Sequence, residues 1–94
     1  MPVEKGGYIR AKPKTKNGER NLIRQRLLQL RKEHGLSQRD LAKALQEAGY
    51  NLDKNVINRI ETNQRYVSDI EVKALCEIFQ VPYRYLLDGE AKDL

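Results

Sequence analysis

The chain is poor in several things that define other classes of protein. Among its 94 residues there is one cysteine, Cys76, and one histidine, His34. A lone thiol cannot close an internal disulfide, so the scaffold is not of the cross-linked secreted kind and a reducing compartment suits it. One histidine and one cysteine also form no cluster with metal-ligand spacing, so neither a metal nor any other cofactor is expected. Tryptophan is absent and phenylalanine occurs once, which removes the apolar face that would seat a basic segment in a lipid surface. No uninterrupted apolar run exceeds three residues, far short of a bilayer span. The opening "MPVEKGGYIR" lacks the apolar stretch of a secretory signal. There is no phosphate-cradling glycine loop, and the length suits one small domain rather than a cleft-bearing enzyme. The expectation is a cytoplasmic, non-membrane protein that is not an enzyme.

What the chain does have is charge, unevenly placed. A third of the residues are charged and the formal net charge is +5. Residues 1–20 hold six Lys/Arg against Glu4 and Glu19, a net of +4, whereas residues 21–94 are nearly neutral at +1. That asymmetry points to a polyanionic partner. With two prolines and three glycines, residues 1–20 read as a basic flexible arm. Lys12, Lys14 and Lys16 flank Pro13 at alternate positions and are candidate phosphate contacts, adding affinity by counterion release but no sequence choice. The plainer alternative is a solvated tail.

Beyond the arm the apolar residues follow a helical period. Ile23, Leu27 and Leu30 make one stripe, with Asn21 as an expected N-cap and Gly35 as a stop. "SQRD" opens a second helix with a Ser37–Asp40 capping box, followed by the stripe Leu41, Ala42, Leu45 and Ala48, and Gly49 ends it. Asp53 caps a third helix that turns Val56, Ile57 and Ile60 inward. A second capping box, Ser68–Glu71, opens a fourth with Val72, Leu75, Cys76 and Phe79 in its stripe, which makes Cys76 core filling rather than a nucleophile. Pro82 is expected at the first position of a fifth helix, where its missing N–H costs nothing. Leu86 closes the core. The sequence predicts an all-α, five-helix domain over 21–88, with a frayed tail at 89–94.

The third helix raises the functional question. If Ile57 and Ile60 face inward, Lys54, Asn55, Asn58 and Arg59 lie on the exposed flank. Lysine and arginine donate to guanine O6 and N7, and asparagine pairs two-for-two with adenine N6 and N7. Ordinary solvated polar residues are the bland alternative.

Order and spacing of motifs favour the first reading. Arg31, "LSQRDLA" at 36–42, "VINRIE" at 56–61 and the closing "LCEIFQVPYRYLL" resemble the lambda repressor/Cro-like (XRE) family of helix-turn-helix domains over most of residues 21–88. The resemblance implies a lambda repressor-like fold that binds double-stranded DNA, with Lys54, Asn55 and Arg59 reading bases. It implies that Ser37, Gln38, Asn63 and Arg65 touch the DNA backbone, with Asn58 beside the readers and also approaching backbone. Arg31 and Glu61 match a structural ion pair between the first and third helices. One departure stands out: "QEAGYNLD" makes the connector before the third helix longer than is usual in the family, and Tyr50 and Leu52 are expected to staple it to the core.

The function implied is a transcriptional regulator, of the repressor kind, acting as a homodimer whose reading helices lie about 34 Å apart. Leu28, Tyr83, Tyr85 and Leu87 are candidates for the dimer surface. Two alternatives remain open. One is an antitoxin that represses its own operon, which would require a toxin-binding segment. The other is a helical adaptor that binds protein, which a neutral third helix would favour. The sequence specifies no further protein partner.

Overall fold

The computed structural model describes residues 14–91, and residues 1–13, with Lys12, and 92–94 lie outside the described part. Five helices follow one another: α1 (Arg24–Glu33), α2 (Gln38–Glu47), α3 (Lys54–Glu61), α4 (Asp69–Phe79) and α5 (Tyr83–Asp88). There is no strand among the described residues. The helices are short, from 6 to 11 residues, and pack around a single core. α3 packs against α1 and α2, α4 packs against α2, and α5 folds back on α4.

The core is one cluster to which every helix contributes. Ile23, Leu27, Leu30, Leu41, Leu45, Ile57, Ile60, Leu75 and Leu86 are almost wholly removed from solvent. The α4 stripe is buried as its period requires, Cys76 included, and burial pushes the Cys76 thiol pKa up. His34 packs its ring edge-on against Phe79, 5.1 Å between centroids, and one ring nitrogen lies 2.9 Å from the Leu30 carbonyl. Its surroundings account for it without a metal.

Local chemistry sets the helix ends. Both capping boxes are formed: Ser37 Oγ accepts from the Asp40 amide and Ser68 Oγ from the Glu71 amide, and each carboxylate reaches back to the N-cap amide. Asp53 Oδ1 accepts from Val56 N at 2.9 Å to start α3. At the other ends the chain turns left-handed. Two of these positions are not glycine: Asn63 at φ 62° after α3 and Gln80 at φ 56° after α4. Asparagine tolerates that region through local hydrogen bonding. Gln80 gains only one such bond, from its side-chain amide to the Glu77 carbonyl.

Several expectations fail for identifiable reasons. Asn21 does not cap α1; Ile23 occupies that place with no side-chain bond. Asn21 is instead buried, its Oδ1 accepting from Ile23 N while its Nδ2 donates to the carbonyls of Ile60 and Arg65. It ties the entry of α1 to the exit of α3. Ala48 lies on the right face by period, but α2 stops at Glu47 and Ala48 is exposed. Pro82 is the N-cap of α5 rather than its first helical residue. Tyr85 is 7% exposed and belongs to the core, so it is not part of any dimer surface.

The long connector is held at two points. Leu52 is buried, and the Tyr50 hydroxyl donates to Glu77 on α4 at 2.9 Å. Residues 15–20, expected within the arm, close a turn. Gly18 N donates to Thr15 O, and Glu19 N to Thr15 Oγ1. That turn is fastened to Asn63, whose Oδ1 accepts from Arg20 N at 2.6 Å and whose Nδ2 donates to Gly18 O at 3.4 Å.

Candidate nucleic-acid interface

α3 is amphipathic in a way that sorts its residues by role. Ile57 and Ile60 are wholly buried, Val56 is half-buried, and Lys54, Asn55, Asn58 and Arg59 are exposed. Successive residues turn by about 100°, so residues 54 and 58 share one edge of the outer face and residues 55 and 59 the other. The result is two carboxamides and two cations on about two turns of a helix narrow enough for the DNA major groove.

What keeps that face outward is an ion pair beneath it. Arg31 Nε donates to Glu61 Oε2 at 2.7 Å and Arg31 Nη2 to Glu61 Oε1 at 2.9 Å, a two-point clasp between α1 and the last residue of α3. Glu61 is one of only two polar or charged residues in the buried class among the described residues. A carboxylate so placed must be fully satisfied. A third donor completes the set: Gln38 Nε2, on α2, reaches Glu61 Oε1 at 2.9 Å. Hydrogen bonding to Glu61 raises the Arg31 guanidinium pKa beyond its ordinary high value, so Arg31 remains charged. Arg31 Nη1 also donates to the Leu36 carbonyl, which fixes the α1–α2 turn.

The start of α2 lies beside α3. Ser37, Gln38, Arg39, Lys54 and Arg31 line one shallow depression. Ser37 Oγ accepts from Asp40 N, and a helix N-terminus favours an anion. Hydrogen bonds from the Ser37 amide and hydroxyl hold the Asp40 carboxyl below the usual carboxylate range. Arg39 is exposed in the same depression and was not singled out from the sequence. Its signal was available, as a cation beside Gln38 in the first turn of the helix.

In the loop after α3, Asn63 and Arg65 are both bonded within the protein. The amide group of Asn63 is taken up by Gly18 and Arg20, and Arg20 Nη1 donates to the Asn63 carbonyl at 3.1 Å. Arg65 is clasped by Glu71 at 2.7 and 2.8 Å, and it also donates to the Tyr66 carbonyl. Both residues thus hold the protein's own segments in place. Through Asn63, the exposed Lys16 belongs to a turn fastened just past the C-terminal end of α3, and the exposed Lys14 directly precedes that turn.

The sequence model of the family described as Helix-turn-helix matches residues 27–86, more than half of the chain. The chain belongs to the lambda repressor/Cro-like, XRE-type helix-turn-helix family. No curated protein and no solved structure gives a significant match. Membership makes the chain a DNA-binding regulatory domain of the XRE type. The match to residues 27–86 takes in α2 and α3 whole. Among the described residues no helix is long and apolar enough to cross a membrane.

Proposed function

We propose that this XRE-type domain is a sequence-specific transcriptional repressor in the cytoplasm that binds double-stranded DNA as a homodimer, with α3 in the major groove. The outer face of α3 carries the reading. Lys54, Asn55 and Arg59 are exposed and have no side-chain partner among the described residues, while the helix under them is fixed by Glu61. Lys54 and Arg59 donate to guanine, and Asn55 pairs with adenine. Ser37 and Arg39 at the start of α2, with Lys16 in the fastened turn and Lys14 just before it, take phosphates. Repression requires no surface beyond the reader, since an occupied operator excludes other proteins. The helical-adaptor alternative called for a neutral third helix, and two exposed cations count against it.

An exposed apolar groove supports the dimer. Val67, Ile70, Tyr83 and Leu87 line it, with Ile70 65% and Tyr83 52% exposed. Leu87 also borders a second depression with Leu22, itself 54% exposed. Large apolar side chains gathered on one side of a small domain mark an association surface. Leu28, half-buried, contributes little to it.

Selection of bound duplexes from a random pool tests the reading directly. An inverted repeat with half-sites about one helical turn apart is expected. Asn55→Ala should relax one position of each half-site by about 1–3 kcal/mol. Recovery of sequences with no common motif would overturn the proposal.

A further inference from the structure

α5 is six residues long, and its N-cap, Pro82, offers no side-chain bond. A helix this short is held by tertiary contacts rather than by its own hydrogen bonds. One of those contacts comes from α1. Arg26 Nη1 donates to the Leu86 carbonyl at 3.1 Å and to the Leu22 carbonyl at 3.2 Å. The guanidinium thus satisfies a carbonyl in the last turn of α5 and brings a cation to the negative end of that helix.

The chain just past α5 makes room for this side chain. Gly89 is left-handed at φ 77°, and a Cβ there would lie 2.5 Å from Arg26 Nη2 and 2.9 Å from Nε. Glycine therefore serves twice at this position, for its backbone angle and for the space it leaves the guanidinium.

The consequence lies on the surface. Arg26 bonds the carbonyl of Leu22 and the carbonyl that precedes Leu87, and these two exposed leucines line one depression with it. Leu87 also lines the groove of Ile70 and Tyr83, so the two depressions meet at it. Each carries charge of both signs: Asp69 and Lys73 line the first, Glu19 and Arg24 the second. Glu19 and Arg24 are loosely paired at 3.6 Å, and Arg24 Nε has no hydrogen-bond partner among the described residues. A surface that meets its own copy across a two-fold axis must be self-complementary, with apolar groups flanked by both signs of charge. This composition fits a second copy of the chain better than a partner of one charge.

We infer that Arg26 is the positioning residue of the dimer surface. By clasping α5 to α1 it joins the Ile70 groove and the Leu22 depression into one patch, on which a second copy docks. The inference rests on the dimer proposed above.

Sedimentation equilibrium of the full chain, run well below its unfolding temperature, tests it. Arg26→Met keeps an apolar stem but removes the guanidinium. It should weaken dimerisation about tenfold or more, as when a buried leucine is lost from an interface. Binding to a single half-site should be unchanged. Arg26→Lys keeps the cation without the fork and should fall between the two. Leu22→Ser should weaken the dimer to a similar degree, whereas a dimer seated on the Ile70 groove alone would be indifferent to it. Gly89→Ala should displace the guanidinium and weaken the dimer with Arg26 still present, which keeps the test open if Arg26→Met does not fold. An arginine that only stabilises the fold would lower the unfolding midpoint of Arg26→Met and leave its dimer constant as in the wild type. That result, or a Leu22→Ser dimer as tight as the wild type, overturns the inference while the dimer stands. A wild type that sediments as a monomer at every concentration overturns the dimer itself, and the inference with it.

Discussion

Glu61 accepts three hydrogen bonds from two other helices, and little else fixes the rotation of α3 about its own axis as directly. Replacing it by glutamine keeps the volume but leaves the Arg31 guanidinium, 13% exposed as a side chain, without its counter-charge. Glu61→Gln should cost about 3–5 kcal/mol, as expected when one member of a buried pair is lost, measured by urea unfolding. Replacing both partners by apolar residues of similar size should cost far less. The ion pair could be anticipated from the family resemblance alone. The part played by Gln38 could not, because an amide's partners depend on how α2 approaches α3, which no local pattern encodes. Asn21 and Asn63 show the same limit. Asparagine before a helix suggests a cap and asparagine after one suggests a left-handed turn, yet both side chains also bridge segments about forty positions apart in the chain.

At the level of the helix, α4 gives the pH dependence. Burial alone would raise the Glu71 carboxyl, but the Arg65 guanidinium and the Ser68 amide and hydroxyl together outweigh it and hold the pKa below the usual range. A carboxyl depressed in the folded state stabilises the protein above its unfolded pKa, near 4, and that contribution is lost as pH falls through the lower folded value. Thermal melts should therefore show Glu71→Gln less stable than wild type at pH 7, with the gap closing below about pH 4. A gap that stays constant to pH 3 would show that ionisation is not the source. Helix existence was legible throughout, since four apolar stripes, two capping boxes and Pro82 state it locally. The ends were less so: α2 stops a residue short of Ala48, and Pro82 sits one place before the start of α5. Both are boundary effects of one or two residues, where fraying and capping compete on nearly equal terms.

For the molecule as a whole, the proposed function assigns affinity and base choice to different segments. Lys14→Ala should weaken binding to all sequences alike and lower the salt slope of log K by about one, measured by fluorescence anisotropy across salt concentrations. An unchanged slope would remove Lys14 from the interface. Ile70→Asp should place a charge in the apolar groove without touching the core, and sedimentation should then show monomers where the wild type shows dimers. Binding to a full inverted repeat should fall while binding to one half-site persists. The groove itself was only partly legible, because Ile70 falls within the helical pattern of α4 and period alone does not reveal which face α5 leaves uncovered. The fastening of the 15–20 turn to Asn63 holds Lys16 near the C-terminal end of α3 rather than across the globule. Methylphosphonate placed on the strand beside that end should make Lys14 redundant, and the same uncharged linkage on the far side of the duplex should leave its effect intact.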